Sequence, residues 1–209
     1  MATTPDPWGT IHRERRALLA DVEGLTPGQW ATPSLCVGRT VQDTLAHMAA
    51  TARMTPAGFF LKLARSGFRF EAMTAREIAE LTAGMPADTL DAFRARLDSV
   101  SHPPGPVDSW LGETVVHAED IRRPLGIVRA YPTEALTRLA DFYRRSNLIV
   151  GGKRRAAGLT LRATDADWTA GTGPEVRGPI LALLLAVTGR RIAHGELEGE
   201  GTPTLTGRG

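Results

Sequence analysis

The chain has 209 residues, 42% of them hydrophobic and 23% charged, and its 25 basic and 23 acidic residues leave a formal net charge of +2. That balance fits a globular protein with one sizeable core and excludes a nucleic-acid platform, because no dense basic run is interleaved with aromatics. Cys36 is the only cysteine, so an intramolecular disulfide is excluded, which suits a reducing cytoplasm. The first residues, MATTPDPWGT, have no apolar signal core, and the longest apolar run, ILALLLAVT at 180–188, is too short to span a bilayer. The expectation is a soluble cytoplasmic protein with neither a nucleic-acid nor a membrane partner.

Taken in chain order, residues 8–23 read as a helix with Ile11, Leu18, Leu19 and Val22 on one side and HRERR as a solvated charged face. The loop GLTPGQWATPSLCVG follows and holds Cys36, which reads as a buried, inert thiol rather than a nucleophile. Thr40 with Asp43 three residues on predicts a capping box and a helix through TLAHMAATARM, with Pro56 as a break. Thr74 with Glu77 predicts a short helix over 75–83, and Pro86 starts another through TLDAFRARLDSV. After SHPPGP comes WLGETVVHAEDIRRPLG, capped by Asp108 or Ser109 and closed by Pro124 and Gly126. Pro132 and Thr133 launch EALTRLADFYRRSNLIV. Helices of this length joined by loops predict an antiparallel bundle over 1–152. From 153 to 209 the alternation in LTLRA, the glycine-rich WTAGTGPEVRG, an apolar helix at 179–189 and a last strand in GELEGEGTPTL predict a small α+β domain.

The segment around 113–120 sets the functional question. At about 100° per residue, Glu113, His117 and Asp120 share one stripe of a helix. A solvated face accounts for that pattern as well as a site does, although a carboxylate turned toward a core costs several kcal/mol unless paired or metal-bound. His12, His102 and His194 sit in a charged face, a loop and the tail, and read as incidental. His47 lies mid-helix beside Leu45 and Met48. Alone it reads as a hydrogen-bonded core histidine; with Glu113 and His117 it completes two imidazoles and one carboxylate from two helices. Three protein ligands with an open fourth position suit a catalytic divalent metal, usually zinc.

On these motifs the sequence resembles the maleylpyruvate isomerase family of mycothiol-dependent enzymes, within the DinB-like bundle superfamily. LTPGQWATPSLCVGRTVQDTLAHMA resembles the family's loop and histidine helix, WLGETVVHAEDIRRPLG its second metal segment, and DWTAGTGPEVRGPILALLLAVTGRR its small C-terminal domain. The resemblance implies a mainly α fold, a DinB-like four-helix bundle with a small C-terminal α+β domain. It implies His47, Glu113 and His117 as metal ligands, Asp120 as an acid one turn beyond the last ligand, and Arg190 as the arginine of the family's C-terminal Gly-Arg pair, which either acts as a catalytic arginine holding a substrate carboxylate or the thiol or simply caps the last carbonyls of the apolar helix. Arg39 departs from the tryptophan that many members carry there, which changes the pocket wall.

The implied activity is thiol transfer or thiol-assisted isomerisation on a small electrophile. Zinc and mycothiol, a low-molecular-weight bacterial thiol, would be cofactor and cosubstrate, with the thiol activated as a metal-bound thiolate. Asp120 would then orient a ligand imidazole or handle the thiol proton; its alternative is a salt bridge to Arg122 or Arg123. Asp43 is explained by capping. Two other readings stand beside this one: a metal-dependent hydrolase of small molecules or thiol adducts, and a non-catalytic metal- or thiol-binding protein. An iron facial triad is opposed by the helical pattern.

Overall fold

The structure is a computed structural model that describes residues 6–148 and 150–208. The chain divides into two compact units, Met1–Arg129 and Ala130–Gly209. The first holds α1 (Pro7–Val22), α2 (Pro27–Trp30), α3 (Val41–Arg53), α4 (Pro56–Arg65), α5 (Phe70–Leu81), α6 (Pro86–Arg94) and α7 (Val107–Arg122). α1 packs on α7, α7 on α3, α3 on α6, and α6 back on α1, which closes a four-helix bundle; α5 lies on α3. Leu18, Val22, Trp30, Val41, Leu45, Met48, Phe93, Ala118 and Ile121 form its core.

Local chemistry sets most of the helix ends. Thr40 accepts from the Asp43 N–H at 3.1 Å while Asp43 accepts from the Thr40 N–H at 2.9 Å, the reciprocal capping box expected there. α3 stops at Arg53, and Pro56 opens α4 at a position where its missing N–H costs nothing. Two expectations fail. Thr74 is not a cap: α5 begins at Phe70, with Arg69 at its N-cap, and buries Thr74 and Glu77 in its interior. The start of α7 falls at Pro106 rather than at Asp108 or Ser109.

The HRERR run is a solvated face only in part: Arg13 and Arg16 are exposed, but Glu14 and Arg15 are not. Glu14 is fully buried and takes a two-pronged contact from Arg129 at 3.0 and 3.2 Å. Arg15, 2% exposed, donates Nη1 to the carbonyls of Arg96 at 3.2 Å and Ser99 at 2.8 Å. These contacts, with Arg122 on Asp21 at 2.7 Å, pin α1 to its neighbours by charge as well as by packing.

The second unit holds α8 (Thr133–Arg145), α9 (Gly152–Ala156), β1 (Thr160–Ala163), β2 (Thr169–Gly171), β3 (Glu175–Gly178), α10 (Ile180–Val187) and α11 (Thr202–Thr206). The sheet runs β2–β1–β3, with Leu161 opposite Ala170 across an antiparallel ladder and Val176 across a parallel one. α8 falls in this unit, whereas the sequence places it before a boundary at 152. Its stripe of Ala135, Leu136, Leu139, Ala140 and Tyr143 is buried, and it packs on α10 and α9. The tail segment expected as a strand supplies one bridge, Arg177 to Glu198, and then turns into α11. Among the described residues, no helix is long and apolar enough to cross a membrane.

Phe93 is fully buried where α6 meets α3. Phe93→Ala should destabilise the protein by about 3–5 kcal/mol, read from denaturant midpoints. A loss under about 1 kcal/mol would show that the bundle core does not depend on that contact.

Candidate functional site

α7 is an unusual helix in its burial. From Ser109 to Arg122 every residue is buried except Glu113 and His117, which are partly accessible. α3 repeats the pattern: from Thr44 to Ala52 the one partly accessible residue is His47. α3 packs on α7, and the His47 and His117 rings meet edge-to-face with centroids 5.0 Å apart. The three side chains are therefore the partly accessible positions of two otherwise buried stretches rather than part of an outer solvated face. Each comes from a helix whose other faces are held by apolar packing.

His117 is fixed by its neighbours. Its Nδ1 lies 2.8 Å from Oδ2 of Asp120, which is fully buried, and 3.4 Å from Sγ of Cys36. The thiol donates to the same Asp120 oxygen at 3.1 Å. Burial alone would lower the His117 pKa, but hydrogen bonds to Asp120 and Cys36 outweigh it and raise it to about 9. With Nδ1 engaged, Nε2 is the nitrogen left to meet a ligand. The arginines beside Asp120 are spoken for: Arg122 pairs with Asp21, and Arg123 with Glu119 at 3.0 Å.

Cys36 enters through a small hairpin that the sequence reads only as a loop. Pro33 and Thr40 bridge antiparallel, the Ser34 N–H meets the Arg39 carbonyl at 2.9 Å, and the Arg39 N–H returns to the Cys36 carbonyl at 3.0 Å. Gly38 supplies the left-handed φ of 73° that this turn requires. The Leu35 N–H bonds the Asp120 carbonyl at 3.1 Å, so the hairpin is laid directly on α7. Cys36 is partly exposed and in contact with the site, not isolated in a loop.

His47 behaves oppositely to His117. Burial first, then the positive charges of His117 and Arg39, hold it well below the usual imidazole range, with Asp120 opposing. It is a neutral imidazole with a lone pair to offer. Burial raises the Glu113 carboxyl above its ordinary value, against the pull of His117, Arg15 and a hydrogen bond to Thr51. Its Oε1 is shut off from solvent and has no hydrogen-bond partner. A buried carboxylate oxygen without a donor is what a cation would satisfy.

The tightest group of potential ligand atoms among the described residues is Cys36, His117 and Asp120, all within 4.8 Å of one another. His47, Glu113 and His117 are not drawn that close. The tight group is tight because it is hydrogen-bonded: a proton on Nδ1 already occupies the space between the imidazole and the carboxylate. The looser trio holds the carboxylate oxygen without a partner and the imidazole held neutral.

Arg190 belongs to the second unit. Gly189, at φ 92°, ends α10 in a Schellman turn: its N–H meets the Ala186 carbonyl at 3.0 Å, and the Arg190 N–H meets the Leu185 carbonyl at 2.8 Å. The Arg190 guanidinium donates to the Thr188 carbonyl at 2.9 Å. This is the geometry of a helix cap.

Residues 11–102 match the family model described as the mycothiol maleylpyruvate isomerase N-terminal domain. The match lies within the first unit. The matched segment includes Cys36, Arg39 and His47 and ends before α7. Two solved structures share the fold. One is a mutant of the mycothiol-dependent maleylpyruvate isomerase, with a TM-score of 0.65 and 16% identity over 94% of this chain and 92% of that one. The other is the mycothiol-dependent maleylpyruvate isomerase itself, at 0.62 and 18% over 88% of each. No curated protein matches the sequence.

The His117–Asp120 pair has a testable pH signature. The folded-state pKa of His117 is raised from 6.5 to about 9, so its contribution is fully present below pH 6.5 and is lost as pH rises through about 9. In chelator-treated protein, Asp120→Asn should cost roughly 1–3 kcal/mol below pH 6.5, and the gap to wild type should close through about 9. Thermal unfolding across this range checks it; a gap independent of pH would mean that His117 is neutral in the metal-free fold.

Proposed function

We propose that the protein is a mycothiol-dependent isomerase or thiol transferase acting on a small electrophile, with a divalent metal, zinc by preference, held by His47, Glu113 and His117. The observation that carries this reading is the accessibility pattern: these three side chains alone break otherwise buried stretches of α3 and α7. The orphaned Glu113 Oε1 and the neutral His47 fit a cation. The domain match to residues 11–102 and the shared fold supply the thiol chemistry.

A divalent metal at this position would supply an electrophilic centre that favours the thiolate form of a bound thiol at neutral pH. The chain's own residues do the rest. Asp120 is a positioning residue: fully buried, it holds His117 through Nδ1 and leaves Nε2 for a ligand. Because His117 is held protonated in the metal-free fold, loading the site releases a proton, and affinity should rise with pH. Leu45, Met48, Val116 and Ile121, close to the three side chains along α3 and α7, are buried apolar residues that hold the two helices in place.

The purified protein should carry about one divalent metal per chain. His47→Ala and His117→Ala should each release it, and Glu113→Gln should weaken it. Metal analysis on these variants, followed by thiol-consumption assays with mycothiol and a panel of electrophiles, tests the reading. Full occupancy in the His47→Ala, His117→Ala double variant would remove the assignment.

A second reading rests on one observation, the 3.4 Å approach of Cys36 Sγ to His117. It would make Cys36 the nucleophile. The geometry argues against it, because thiol and carboxylate meet the same ring nitrogen, whereas a relay needs one on each nitrogen. Cys36→Ser should therefore keep activity within a few-fold of wild type. A serine variant that binds metal normally but has no turnover would transfer the nucleophile to Cys36.

A further inference from the structure

The second unit holds a cleft of about 230 Å³ that the reaction proposed above does not use. It lies between α9 and the β1–β2 hairpin, is lined by Arg144 and Lys153, and has no acidic residue in its walls. Leu159, Leu161 and Ala170 are its buried apolar walls, with Leu161 opposite Ala170 across the ladder. Ala157, Gly158 and Thr172, which are exposed, open it to solvent. Both ends of α9 are fixed. The Lys153 N–H meets the Ser146 carbonyl at 3.0 Å, and Arg208 donates to the Arg155 and Ala157 carbonyls at 2.9 and 2.5 Å. These contacts gather Arg144, Lys153, Arg154, Arg155 and Arg208 on and beside one short helix. Among the described residues the one carboxylate that any of these cations meets is Asp141, 2.7 Å from Arg144. The side chains of Lys153 and Arg154 make no hydrogen bond or ion pair among the described residues. Cations held together without counter-charges repel, and a bound anion removes that cost.

We propose that this cleft binds a small organic phosphate, a monoester whose dianionic head meets Lys153 and Arg144 and whose apolar body rests on Leu159, Leu161 and Ala170. The site uses no residue of α3 or α7 and stands apart from the function proposed above. Small-molecule sites combine apolar walls with a few convergent polar groups, and this cleft has both. Lysine offers a compact point charge, and the guanidinium of Arg144, which spends its Nε on Asp141, keeps further N–H donors for phosphate oxygens. A doubly charged head suits a cluster of cations that share a single carboxylate. The volume corresponds to roughly seven waters, the room for one ring or a short chain rather than a nucleotide. Ala156, Ala157, Gly158 and Gly171 contribute no side chain beyond a methyl group, so the space stays open.

Phenyl phosphate, inorganic phosphate and phenol separate the head from the body. Titrations of the protein as purified, read by calorimetry or ligand-observed NMR, should show phenyl phosphate bound at least about tenfold more tightly than either fragment. Lys153→Met, at an exposed side chain, should weaken phenyl phosphate by about tenfold or more. Ala170→Leu, which fills the cleft from β2, should remove its binding. Arg162→Gln, which removes an exposed arginine paired with Glu175, controls for net charge and should change nothing. Melting temperatures show whether the variants fold alike; if Ala170→Leu does not fold, Lys153→Met carries the test. The His47→Ala, His117→Ala double variant should bind phenyl phosphate as the wild type does, which keeps this site apart from any metal site in the first unit. Inorganic phosphate or phenol bound as tightly as phenyl phosphate, unchanged binding in Lys153→Met, or loss of binding in the double histidine variant overturns the proposal.

Discussion

A helix buried along most of its length cannot carry ionisable side chains without a reason, and α7 carries Glu113, His117 and Asp120 on one stripe. Moving a charged group from water into a protein interior costs several kcal/mol unless it is paired, hydrogen-bonded or metal-bound. The structure meets that cost differently for each residue. Asp120 is satisfied by His117 and Cys36. His117 is satisfied on one nitrogen and open on the other. Glu113 keeps an oxygen with no partner. The degree of satisfaction falls along the helix from Asp120 to Glu113.

The rest of the first unit reads as support for this stripe. α3 brings His47 against His117, and its own N-terminus is locked by the Thr40–Asp43 box, so the histidine cannot drift along the helix axis. The hairpin between α2 and α3 closes over the Asp120 end. α1 is tied down by buried Glu14 and Arg15, which fix the helix that packs on α7. Such ion pairs add little net stability against an apolar alternative, yet breaking one strands a buried charge. Their consequence here is register: α1 has few ways to pack once Glu14 must meet Arg129.

Which parts were legible in the sequence follows from the range of the forces involved. Capping boxes and proline breaks are local, and Thr40, Pro56 and Pro86 read correctly for that reason. The stripe of Glu113, His117 and Asp120 is helical periodicity and was equally open to reading, though whether it faced solvent was not. Misreadings concern partners distant in sequence. Glu14 and Arg15 look solvated until Arg129, Arg96 and Ser99 are folded against them. Thr74 and Glu77 mimic a cap because their spacing is right, but Glu77 instead pairs across helices with Arg53 at 2.9 Å. Cys36 looks inert in a proline- and glycine-flanked loop, since nothing local says that the loop closes into a hairpin on α7. The match of residues 11–102 to a family domain reaches His47 but not α7, so the pairing of the two helices rests on the fold itself.

The two imidazoles of the site show how environment divides identical groups. His47 and His117 lie a ring's width apart, yet one is held neutral and the other is raised to about 9. Their burial is similar, so burial cannot separate them. Partners do: Asp120 and Cys36 stand on His117, while His47 faces the charges of His117 and Arg39. The division is also self-reinforcing, because a protonated His117 further disfavours a proton on His47. The division therefore rests on what stands beside each ring rather than on how deeply either is buried.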